Sequence, residues 1–170
     1  MATSQSLLEQ IAAAQVTAKA LEGRISEALK LMDGSLGTDA QVKELRRATK
    51  ALELAAVDIF SIFEARMQHH FKRGPFSRKL KALLLDSKEP DLADRLHKYY
   101  LAINVLKHGK GASYRELLNS PTSFFSIKSP QAANSDDAQP SVSLVDVTSL
   151  GFFNGLTTTI VDAYHFLEGK

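Results

Sequence analysis

The chain contains no cysteine, which removes disulfides, thiolate metal sites and cysteine nucleophiles together and is compatible with a reducing compartment. No apolar run approaches the ~20 residues that a bilayer-spanning helix needs. The N-terminus also lacks the basic-then-apolar order of a signal peptide, so a cytoplasmic protein with no membrane partner is expected. Net charge is only +2, so a nucleic-acid partner has to be argued from where the charges sit and not from their sum. There is no Gly-rich phosphate loop, no zinc-binding His pair and no nucleophile-elbow pattern, so neither a metal site nor a cofactor is expected. No internal repeat is found. At 170 residues the chain has the length for one domain, 1–170, with a core of its own.

What is present is a helical period. Between Ser4 and Met32, the residues Ile11, Ala14, Ala18, Leu21, Ile25, Ala28 and Met32 recur at spacings of four and three, which predicts a long first helix with one packed face. Asp33-Gly34-Ser35-Leu36-Gly37 interrupts it. Thr38 followed by Gln41 has the form of a capping box, so a second helix starts there. Its inward stripe is Leu45, Ala48, Leu52, Ala55, Ile59 and Ile62, widened by Phe60, Phe63 and Met67. These two helices are expected to form an antiparallel hairpin, with 1–36 as its first arm.

Gly74-Pro75 then punctuates the chain, and Ser77 to Leu85 reads as a short third helix with Leu80, Leu83 and Leu84 inward. Pro90 suits the first turn of a fourth. Ser113 with Glu116 predicts a capping box for a short fifth helix ending near Asn119-Ser120-Pro121. Residues 121–140, rich in Ser, Pro, Asn and Asp, are expected to be a mobile loop. Ser141 to Val145 alternates as a lone short strand would. Asp146 is expected to cap the last helix, with Val145 and Leu150 as a hydrophobic staple and Phe153, Thr157, Ile160, Tyr164 and Leu167 continuing the buried face. The expected fold class is all-α: an antiparallel up-and-down bundle of about five to six helices with at most one short isolated strand.

The fourth helix, Asp91 to Gly109, carries two rows. Leu92, Leu96, Tyr99, Ile103 and Leu106 form a core-facing stripe, while His97, Leu101, Asn104 and His108 lie roughly 150° around at about 100° per residue. Two faces call for two neighbours. His97, Leu101 and Asn104 are therefore read as a dimer face, because an isologous contact commonly buries such a surface. The bland alternative is a hydrogen-bonded network that only joins two helices. A second cluster, Arg66, His69, His70, Lys72, Arg73, Arg78, Lys79 and Lys81, straddles Gly74-Pro75 with Phe71 and Phe76 interleaved. Cations neutralise phosphates and rings stack on bases, so single-stranded nucleic acid is one reading and a solvated helix end the other. Glu64 and Asp58 read as ordinary surface or interhelical acids.

Ile59-Phe60-Ser61-Ile62-Phe63-Glu64-Ala65, then Asn104-Val105-Leu106-Lys107-His108-Gly109-Lys110-Gly111, then Val142 to Leu167 together resemble a HEPN domain. That family is a helical nucleotide-binding module of higher eukaryotes and prokaryotes. Its pattern is an aromatic-rich helix with an acidic residue, a helix ending in Arg-Asn, three residues, His and Gly, and a closing helix. The likeness covers Gln41 to the C-terminus, with 38–170 as the HEPN-like region. In active members the motif Arg and His from two protomers make a metal-independent ribonuclease site. The resemblance implies the histidine role for His108 and the asparagine role for Asn104, with Ile103 standing where the arginine belongs. Isoleucine cannot donate to a phosphate.

Arg95 is too far around the helix to substitute and Lys107 points about 100° away, which leaves Arg66 or a partner's cation. The resemblance thus implies an RNA- or nucleotide-binding homodimer in a defence or toxin–antitoxin setting, with ribonuclease activity weak or lost and an antitoxin-like protein as a further partner. Arg66, His70, Lys72, Arg73, Lys107 and Lys110 would meet the nucleic acid. The alternatives are a non-catalytic protein–protein interaction module and an active ribonuclease with a relocated arginine.

Overall fold

A computed structural model describes residues 5–32, 37–129, 144–149 and 151–169. Among the described residues six α-helices make an all-α bundle: α1 (Leu7–Leu31), α2 (Asp39–Met67), α3 (Phe76–Asp86), α4 (Pro90–His108), α5 (Ala112–Asn119) and α6 (Phe152–Glu168). A 3-10 turn, Gln68–His70, follows α2, and among the described residues between α5 and α6 lie the short strands β1 (Ser126–Ile127) and β2 (Val145–Asp146).

Local chemistry sets the ends of the first two helices. Ser6 and Glu9 close a capping box on α1, the Glu9 N–H donating to Ser6 Oγ at 3.2 Å and the Ser6 N–H to Glu9 Oε2 at 2.8 Å. Thr38 and Gln41 do the same for α2, at 3.1 and 2.9 Å. The hairpin is antiparallel, since Arg66 near the end of α2 reaches Gln5 before α1, while Arg24 pairs with Glu44 at 3.3 Å towards the other end. Leu7, Ile11, Ala18, Leu21, Ile25 and Ala28 form the buried face of α1. On α2 the deepest positions are Ala48, Leu52, Ala56, Ile59, Phe60, Phe63 and Met67, so the face drifts around the helix and leaves Ala55 and Ile62 half-buried.

Helix α4 is buried around much of its girth by Leu92, Ala93, Leu96, Tyr99, Leu101, Ala102, Ile103 and Val105. Arg95 fastens it to α6, donating to Thr159 at 3.3 Å and pairing with Asp162 at 3.0 Å. The Tyr99 ring packs against Phe124, Phe125 and Phe152. Its hydroxyl occupies the space that a Cβ on Gly155 would need, so only glycine allows this approach of α4 and α6.

Three local expectations are corrected. Ser113 and Glu116 do not form a capping box, because α5 starts at Ala112 behind Gly111 and both side chains have partners on α4 instead. Asp146 does not cap α6. Its Oδ1 accepts the Thr148 N–H at 2.9 Å in a local turn, and Gly151, with φ +89°, stands before the helix. The staple residue Leu150 lies outside the described residues. Val145 is not in a lone strand either, since it faces Ile127 in an antiparallel pair while Ser126 faces Asp146. The expected loop therefore contributes a strand, and Tyr114 Oη ties α5 to it by donating to the Lys128 carbonyl at 2.5 Å. Residues 130–140 of that loop and 141–143 of the expected strand lie outside the described residues.

Candidate functional site

The aromatic end of α2 places the first group. Phe63 meets Phe76 edge-on at 5.3 Å and Phe76 meets Phe71 at 5.7 Å, which folds the chain back from α2 into α3. Phe76 is thereby buried and Phe71 half-buried, so these rings serve the turn before any base. Gly74 has φ +94°, and the Lys79 side chain lies across it where a Cβ would stand. That contact draws Lys79 back over the turn that carries Lys72 and Arg73.

No ion pair within the described residues involves Lys72, Arg73, Arg78, Lys79 or Lys81. Helix α3 opens behind Pro75 with no side-chain cap and no acid in its first turn. Positive side chains at a helix start oppose the helix dipole, which favours an anion there. Arg66, the candidate for a relocated arginine, donates from Nη2 to the Gln5 carbonyl at 2.7 Å and so anchors the start of α1. His69 Nδ1 lies 2.9 Å from the Arg66 carbonyl, and the His69 and His70 rings sit 4.3 Å apart. The Nε2 of His70 is buried without a hydrogen-bond partner among the described residues.

The end of α4 supplies the second group. Lys107 and His108 are exposed in the last turn, where cations are favoured, and Gly109 follows with φ +73°. Glu64 of α2 links the two groups: Lys107 faces its carboxyl, and the Ser77 hydroxyl donates to Oε2 at 3.4 Å. Burial pushes the Glu64 carboxyl above its ordinary range, against the lowering effect of Lys107 and of the Ser77 hydrogen bond. Glu64, expected from its spacing to be an ordinary surface or interhelical acid, thus belongs beside the candidate site through its burial. The available signal was an acid set among Ile62, Phe63 and Ala65 on the apolar end of the second helix.

The expected site residues on α4 are divided by the fold. His97 Nε2 lies 3.2 Å from Glu116 Oε1, and Asn104 Nδ2 donates to Ser113 Oγ at 3.3 Å. Leu101 is 3% exposed. The second neighbour of α4 is therefore α5 of the same chain, and only His108 of the row projects outward. Ile103, where the resemblance would place an arginine, is 1% exposed and belongs to the core stripe. Lys110 follows in the exposed turn before α5.

No group of three or more His, Asp or Glu among the described residues is placed to hold a metal ion, and no helix among them is long and apolar enough to cross a membrane. The chain matches no protein-family model, no curated protein and no solved structure.

Proposed function

We propose that the protein binds RNA or a nucleotide through the basic end formed by the α2–α3 turn and the last turn of α4, as a HEPN-like module whose ribonuclease activity is weak or lost. One observation carries this reading: five cations gather around a single turn with no ion pair among the described residues. Between Arg66 and Leu85 there is not one Asp or Glu, so the positive charge of this stretch is not neutralised along the chain and is available to phosphates. Lys72, Arg73 and Lys79 would neutralise backbone phosphates, with Lys107 and Lys110 extending the track and Arg66 and His70 at its edge.

Loss of catalysis follows from position 103. An arginine there would point into the core, so Ile103 is a packing residue, and His108 has no guanidinium beside it on its own helix. A two-fold homodimer would then form around the His108 end and bring a cation from the partner chain. A defence or toxin–antitoxin role, with an antitoxin-like protein as partner, rests on the resemblance.

A cavity of about 330 Å³ between the end of α1 and the start of α2, lined by Ala28, Leu31 and Ala40, with Leu29 and Leu31 exposed, favours the second reading, a protein-interaction module. Fluorescence anisotropy with labelled single-stranded RNA separates the two. Binding that weakens steeply as salt rises supports the first, since counterions are released from neutralised phosphates. Binding that is absent at low salt removes it. Cleavage in EDTA that disappears in His108→Ala would instead establish an active ribonuclease.

A further inference from the structure

Away from the basic end, α4 contains a cation that the proposed function does not use. Lys98 is 6% exposed and makes no ion pair among the described residues. Its ammonium donates to two neutral oxygens, the Ser120 carbonyl at 2.8 Å and the Ser120 hydroxyl at 2.6 Å. Burying a full charge against neutral acceptors is costly, and the partial negative charge at the end of α5 offsets only part of that cost. The residue that supplies both acceptors is itself exposed. Ser120 caps α5 with φ −134° and ψ 75°, already outside helical geometry, and Pro121 follows it.

We infer that Ser120 is a phosphorylation site whose phosphate is received by Lys98. A proline-directed protein kinase would supply the chemistry with a nucleoside triphosphate as co-substrate. The Ser120 oxygen attacks the γ-phosphorus and forms an O–P bond, while the bond from that phosphorus to the β–γ bridging oxygen breaks. The hydroxyl proton passes to the kinase's base, and the nucleoside diphosphate leaves. The ammonium has three donors, so it keeps the Ser120 carbonyl and turns the others to phosphate oxygens, replacing a neutral acceptor with a charge-assisted one. The consequence is a tighter clamp of α5 over the His97–Leu101–Asn104 row of α4. Without Lys98 the same phosphate would only repel the carbonyl end of α5, so the lysine sets the sign of the effect.

The test uses the full chain, a proline-directed Ser/Thr kinase and ATP, with mass spectrometry to place the phosphate and thermal unfolding to read its effect. The expected result is phosphate on Ser120, absent in Ser120→Ala, with a midpoint raised by a few degrees in the wild-type chain and lowered in Lys98→Met. Phosphate placed only on Ser129, the other serine of the chain that precedes a proline, or only on Thr122 or Ser123, or a midpoint that moves the same way with and without Lys98, overturns the proposal. Should Lys98→Met fail to fold, the wild-type background still decides. Ser120→Asp must then melt above Ser120→Asn, and the reverse order sinks the assignment.

Discussion

Along α4 and α5, His97 meets Glu116, Lys98 meets Ser120 and Asn104 meets Ser113, whereas around the α2–α3 turn Lys72, Arg73, Arg78, Lys79 and Lys81 form no ion pair within the described residues. In the first region each polar group is answered by its own chain, and its role is to fix one helix on another. In the second the charges are left for something else to answer. The difference separates residues that hold the fold from residues available to a ligand, and it cuts across the row of α4 that sequence periodicity treats as one face. His97, Leu101 and Asn104 fall on the structural side of that line and His108 on the open side.

The contrast can be broken or sharpened by substitution. The largest effect is expected from Ile103→Arg, which puts arginine where the resemblance would place it and buries an unpaired charge. It should lower stability by about 3 kcal/mol or more in urea unfolding. A variant that stays as stable as wild type and gains cleavage would move position 103 from the packed region to the open one. Next is Gly155→Ala, where the new methyl meets the Tyr99 hydroxyl; a loss of about 1–3 kcal/mol is expected in the same measurement. Asn104→Ala removes one half-buried hydrogen bond to Ser113 and should cost about 1 kcal/mol without changing RNA affinity.

The smallest effect belongs to Glu64, which lies between the regions. Because burial raises its pKa in the folded chain, its favourable contribution is complete below the unfolded value of about 4.3 and is lost as pH rises through the folded value. Glu64→Gln should therefore be as stable as wild type in acid and more stable at neutral pH, by less than about 1 kcal/mol because the group is only partly buried. Thermal midpoints across that pH range check the sign.

Much of the fold was legible in the sequence because it rests on local signals. The α1–α2 hairpin follows from apolar spacing, and the Thr38–Gln41 cap from two residues three apart. The α4–α5 contact was not legible, because Ser113 and Glu116 have the spacing of a capping box and the same atoms serve Asn104 and His97 across the helix interface. Spacing alone cannot tell a near partner from a distant one. Asp146 misled in the same way, its carboxylate being taken by Thr148 in a turn. At the site, the cation cluster was visible as composition. Its drawing together over Gly74 by Lys79, and its link to the end of α4 through Glu64, are tertiary.

The most direct measurement compares the slope of log affinity against log salt for wild type and the triple variant Lys72→Ala, Arg73→Ala, Lys79→Ala on one single-stranded RNA. The expected result is a slope flatter by about 2, at ~0.7 per phosphate contact, with folding stability unchanged within about 0.5 kcal/mol. Equal slopes for the two proteins would contradict the assignment of phosphate binding to the α2–α3 turn.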